Sequence, residues 1–121
     1  MNIITTDKKI SLATLKELCE HGFGDMVKLV VDVERSIIAI GGELHADAET
    51  LLLEQGSDQK NLWGANFYPW NPPDERIFFT ALINIRPNQD NPSLEILNEI
   101  IKQRMKIIIE QLVLSPDEEL V

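Results

Sequence analysis

The chain has 121 residues, 44% of them hydrophobic, with 20 acidic and 11 basic side chains for a formal net charge of −9. That length sets an expectation of one domain over residues 1–121 with a core of its own, and the charge disfavours nucleic acid and anionic membrane surfaces, both of which need Lys and Arg. One cysteine, Cys19, rules out an internal disulfide. With no signal-peptide pattern and no apolar run long enough for a bilayer, the chain reads as cytoplasmic.

Residues 2–6 (NIITT) are β-prone and short, an edge strand or an arm. Ser11 is placed to cap a helix over about 12–21, with Ile10 and Leu15 as a hydrophobic staple and Gly22 just past its end. Cys19 falls on the apolar stripe of that helix and reads as a buried, inert thiol. The run from Met26 to Glu34 is rich in β-branched residues and alternates at its end, and Ile37–Ile40 resumes after a polar break, so the two predict an antiparallel hairpin. A helix capped by Asp25 is the weaker alternative.

Gly41-Gly42 signals a bulge, a bend or a close approach of backbone or ligand. Residues 50–55 fit strand or helix, and Gly56-Ser57-Asp58 is a turn. Leu62–Tyr68 reads as strand, with Gly64 as a bulge, and the three prolines of 69–74 make a surface loop carrying Trp70. Arg76–Arg86 alternates over its whole length and reads as the clearest strand. Asn91-Pro92 resembles a cap followed by proline, predicting a helix from about 92 to 114 and an acidic tail, 115–121, that frays. Together these give an α+β fold: an antiparallel sheet of about four or five strands with an N-terminal and a long C-terminal helix.

The last helix presents two apolar stripes. Leu94, Leu97, Ile101, Met105, Ile108, Ile109 and Leu112 form one, and Ile96, Ile100, Ile107 and Leu114 the other. The first covers the sheet. The second meets either the N-terminal helix or a second copy of the chain, which makes Ile96, Ile100 and Ile107 candidate interface residues of a homodimer.

Two constellations bear on chemistry. If residues 43–49 are extended, Glu43, His45, Asp47 and Glu49 share one face. They then suit a divalent metal or an acid–base pair, and so a metal- or His-dependent hydrolase. If the segment is helical the pattern breaks, and the plainer expectation is a solvated face with His45 satisfied by a backbone carbonyl. Arg86 and Asn84, facing a predicted helix start at Asn91-Pro92, offer an anion site for a small-molecule ligand. Against this stands simple pairing of Arg86 with a carboxylate. Trp63, Tyr68 and Trp70 line a groove or lid a core. The net charge also admits a basic protein partner. Phosphate-loop, paired-cysteine and common hydrolase motifs are missing from the sequence.

The words FGDMVK, AIGGELHAD, LLLEQGS, NLWG and INIRP-x-Q-x-N occur in that order. In them the chain, over roughly residues 10 to 112, resembles a family of small uncharacterised prokaryotic proteins, a domain of unknown function. The resemblance implies a stand-alone domain. It brings no activity, cofactor or catalytic residue.

Overall fold

The structure, a computed structural model, describes residues 2–121. Five strands form one antiparallel sheet in the order β1-β3-β2-β4-β5: β1 Ile3–Thr6, β2 Val27–Asp32, β3 Ile37–Gly41, β4 Leu62–Phe67 and β5 Ile77–Phe78. Helices α1 (Leu12–Glu20) and α3 (Glu99–Leu112) cover one face, and α2 (His45–Glu54) covers the other. The α+β class and the flanking helices of the sequence reading are present. No helix among the described residues is long and apolar enough to cross a membrane.

The period-2 pattern of the strands divides the core in two. Leu29, Val31, Ile38, Ile40, Trp63, Ala65 and Phe67 face α1 and α3, meeting Leu15, Cys19, Met105 and Ile109. Val30, Ala39 and Leu62 face α2, meeting Ala48 and Leu52. Small residues on the second face let α2 approach closely. A Cβ on Gly64 would lie 2.7 Å from Ala81 Cβ and 3.2 Å from His45 Cδ2, so this glycine is a packing position, paired in register with Val30 and not a bulge. Gly41 and Gly42 have φ of +110° and +83°, and a Cβ on Gly41 would strike the Asn2 carbonyl. The double glycine therefore turns the chain off β3 where the backbone before β1 passes over it.

α1 is capped as expected: Ser11 Oγ accepts from Thr14 N at 3.1 Å. The left-handed turn after it falls on Gly24 rather than Gly22, with Gly24 N bonded to Cys19 O at 2.7 Å. The β2–β3 hairpin is fixed by Asp32, which is fully buried. Its carboxylate accepts from Glu34 N, Arg35 N and Ser57 Oγ. A carboxylate in that position needs such donors to offset its lost hydration.

One open alternative is decided and two expectations are corrected. Residues 43–49 are not extended: α2 begins at His45. Alanine, leucine and glutamate favour helix, and His45, Ala48, Glu49 and Leu52 fall at helical spacing on the inward face, where three are buried and Glu49 nearly so. Next, Arg76–Arg86 is not one strand. Only Asn66↔Phe78 and Phe67↔Ile77 pair, after which residues 79–81 bond to 94–96 instead, through Ala81 N to Leu94 O and Ile96 N to Phe79 O. Last, the final helix starts at Glu99, because Asn98 is its cap, accepting from Ile100 N and Ile101 N. Asn91 does a different job. Its Nδ2 donates to the carbonyls of Asn84, Ser93 and Glu95, and its Oδ1 accepts from Leu97 N, so one buried side chain folds the 91–97 segment around itself.

The segment 115–121, expected to fray, is docked. Arg76 donates Nη1 to Ser115 O at 3.0 Å and Nη2 to Glu118 O at 2.8 Å, and Leu120 is buried.

Candidate functional site

The move from strand to helix at 45 decides the fate of the polar run. At about 100° per residue, Asp47 lies on the far side of α2 from His45, while Glu49 shares its face. Glu43 precedes the helix and is exposed, as is Asp47. Among the described residues no three His, Cys, Asp or Glu side chains converge where they could hold a metal ion. The single face drawn for Glu43, His45, Asp47 and Glu49 is thus divided three ways.

His45 itself is buried at the first turn of α2, and its Nε2 donates to Ala65 O at 2.8 Å. That is the plainer of the two expectations for this residue. Burial, first, and the nearby Lys28 ammonium push its pKa below the ordinary imidazole value, against the Ala65 carbonyl, which favours the charged ring. The Asn66 carboxamide approaches the ring from β4, yet its buried Oδ1 has no partner in hydrogen-bond geometry. The ring is therefore neutral near pH 7, with Nε2–H as its donor.

Around it lies a cavity of about 340 Å³, lined on its polar side by Lys28, His45, Asn66 and Thr80. Leu44, Leu82 and Leu94 surround it and are 55%, 76% and 42% exposed, so the mouth is apolar. This volume lies in the range of small-molecule sites. Sequence reasoning found His45 but not its neighbours, because Lys28 and Asn66 meet only through the register of β2 with β4.

Arg86 and Asn84 are placed elsewhere. Each is buried, and each serves the outer edge of β4 beyond the point where β5 stops. Asn84 Oδ1 accepts from Gly64 N at 2.8 Å while Nδ2 donates to Gly64 O at 3.0 Å and to Leu94 O. Arg86 donates Nε to Ile83 O, Nη1 to Gln59 O and Nη2 to Leu62 O. Glu49 Oε2 stands 3.5 Å from Nη2 as an ion pair, and the guanidinium lies 4.5 Å over the Trp63 ring. Burial lowers the Arg86 pKa and Glu49 raises it. The anion site expected here is not formed, since the donors face carbonyls and a carboxylate of the chain and no helix starts at 92. Pairing with a carboxylate, the alternative, is what the fold uses.

The three aromatics, read as lining a groove or lidding a core, part company. Trp63 is buried, Tyr68 stacks edge-on against Phe78 at 5.1 Å, and Trp70 stands half-exposed on the proline loop.

On α3, Ile101, Met105, Ile108, Ile109 and Leu112 face the core. Ile96 and Leu114 lie outside the helix and are buried, so Ile96 cannot serve an interface. Ile100 and Ile107 remain outward, 67% and 56% exposed, one heptad apart, with Leu97 just before them.

Residues 2–112 match a family described as "Protein of unknown function (DUF5674)". That is most of the chain, and the chain belongs to this family. No curated protein and no solved structure matches it.

Proposed function

We propose that this member of the family is a small cytoplasmic binding and assembly protein that works as a homodimer, with the outward stripe of α3 as the joining face. One observation carries the reading: α3 buries one apolar face in its own core and leaves Ile100 and Ile107 on the other, with Leu97 exposed just before the helix. β-branched side chains at a seven-residue spacing on a helix suit a second helix, and burying them removes apolar area at roughly 25 cal/mol per Å². A two-fold axis lets one stripe serve both copies. The buried lone thiol and the acidic surface suit a reducing, soluble compartment.

Light scattering coupled to size exclusion tests this. The wild-type chain should elute at twice its 13.7 kDa mass. Ile100→Glu should bring the mass to that of one chain while leaving the thermal transition in place, because Ile100 touches little of the core. A monomeric wild type, or a dimer indifferent to I100E, overturns the interface.

A hydrolase centred on His45 is the second reading. It draws on the open cavity beside the ring rather than on the polar run. Incubation with ester and amide probes, comparing wild type with His45→Gln, tests it, and equal rates would remove it.

A further inference from the structure

The cavity beside His45 has a chemistry that neither reading above uses. In a chain with 20 acidic residues, none of its ten lining residues is acidic. Its one charged lining group is Lys28, which makes no ion pair among the described residues and rests 5.2 Å from the Phe23 ring. Because the protein as a whole is strongly negative, such a pocket is a local exception, and it discriminates against cations. The body of the cavity is apolar: Ala46, Ala81 and Ile83 stand in its wall, and Leu44, Leu82 and Leu94 are exposed around it.

The first turn of α2 contributes as well. Leu44 occupies the cap position and offers no side-chain acceptor, and Asp47 N turns back to Leu44 O, so the amide of Ala46 is left without the usual capping oxygen. Thr80 adds a hydroxyl and Asn66 a carboxamide to the wall. Exposed leucines on a neutral pocket would suit any apolar molecule. The Lys28 side chain in the wall, with no carboxylate partner among the described residues, narrows the class.

We propose that this cavity binds a small monocarboxylate with a hydrocarbon body, its carboxylate held by Lys28 at the α2 end and its chain lying against Leu44, Leu82 and Leu94. The uncharged and cationic molecules of the same shape should bind worse. The carboxylate gains a charge-assisted bond that a carboxamide lacks, and an amine meets Lys28 as a like charge.

Two-dimensional amide NMR of the full chain tests this, with hexanoate, hexanamide and hexylamine as probes. Hexanoate should shift the amides of His45, Ala46, Asn66 and Leu82 saturably. Hexanamide should bind about tenfold more weakly, the factor that one charge-assisted bond supplies. Hexylamine should leave those amides unmoved. Lys28→Gln should remove the preference for hexanoate over hexanamide while keeping the weak apolar binding. Should K28Q lose its native spectrum, Leu82→Ser decides instead: the residue is 76% exposed, so the fold survives, and both probes should weaken together. Equal affinity for hexanoate and hexanamide overturns the carboxylate class. Saturation elsewhere, no saturable shift at these residues, or hexanoate binding indifferent to L82S overturns the site.

Discussion

The two edges of the sheet solve one problem in different ways. At the β1 edge a strand pairs by backbone alone, Ile3 to Thr6 against Gly41 to Ile38, as any antiparallel strand would. At the other edge β5 pairs for two residues and leaves, and side chains take over the hydrogen bonds that a strand would have made. Asn84 presents an amide to Gly64 as a backbone peptide would, accepting from its N–H and donating to its C=O. Arg86, which has donors only, supplies half of that pattern by giving Nη2 to Leu62 O, two residues back along β4. A backbone pairing tolerates most side chains. A side-chain substitute depends on one residue type at one position, and that difference sets the expected cost of mutation.

The largest effect should come from Arg86→Met. It leaves the Glu49 carboxylate nearly buried and without its cation, and takes a donor from each of three backbone carbonyls, at a cost of about 3–5 kcal/mol. Urea denaturation measures it. The double variant R86M/E49L should recover a good part of the loss, because an apolar pair removes the stranded charge; a double variant no more stable than R86M would show that the carbonyls, not the carboxylate, dominate. Asn84→Ala follows, at about 2–3 kcal/mol, since Gly64 loses partners for both its donor and its acceptor. The same measurement on Thr5→Ala in β1 should show under about 1 kcal/mol. Similar losses at both edges would break the contrast.

Smaller still is the pH effect of His45. Burial holds its folded-state pKa below the ordinary value of about 6.5. The unfolded chain therefore binds the proton more readily, so this contribution is complete above pH ~6.5 and is lost as pH falls through that value towards the folded-state pKa. Thermal melts of wild type and His45→Gln between pH 7.5 and 5 should converge as acid is added. Divergence would mean that the sign is wrong. The smallest effect belongs to Cys19, whose thiol is buried and pushed up to about 11 by burial and by Asp25 and Glu20. An aromatic disulfide reagent should leave it untouched in the folded chain at pH 8 and label it fully in denaturant.

The same contrast marks what the sequence made legible. The β2–β3 hairpin, α1 and β4 follow from pattern because their buried faces are apolar, which is the signal that periodicity detects. The 79–98 segment inverts that signal. Asn84, Arg86 and Asn91 are buried, whereas Leu82, Ile85, Leu94 and Leu97 are exposed, so an apolar residue at every second position from Ile77 to Ile85 concealed a chain that leaves the sheet. α2 was ambiguous for a related reason: two of the four residues on its inward face, His45 and Glu49, are ionisable and read as surface. At the helix start, Asn91-Pro92 has the residue types of a cap, and only the bonds Asn91 makes to the loop show that it is engaged elsewhere and that Asn98 caps instead. Of the candidate site, the residue was legible and its surroundings were not. Lys28 and Asn66 reach His45 through strand register, which no local pattern encodes.

Arg76 has a consequence for how the chain acquires its shape. Its guanidinium joins Asn71 to Ser115 and Glu118, and Ile10 N bonds Leu112 O at 2.9 Å. Residues near position 10, made early, complete their bonding only with residues made about a hundred positions later, and a buried arginine waits forty positions for its carbonyls. During synthesis the hairpin can close as soon as it emerges, but the layer containing α1 stays open until α3 and the segment after it have left the ribosome. In a cell the apolar face of the central sheet therefore stays uncovered from the emergence of the hairpin until α3 and the segment after it have followed.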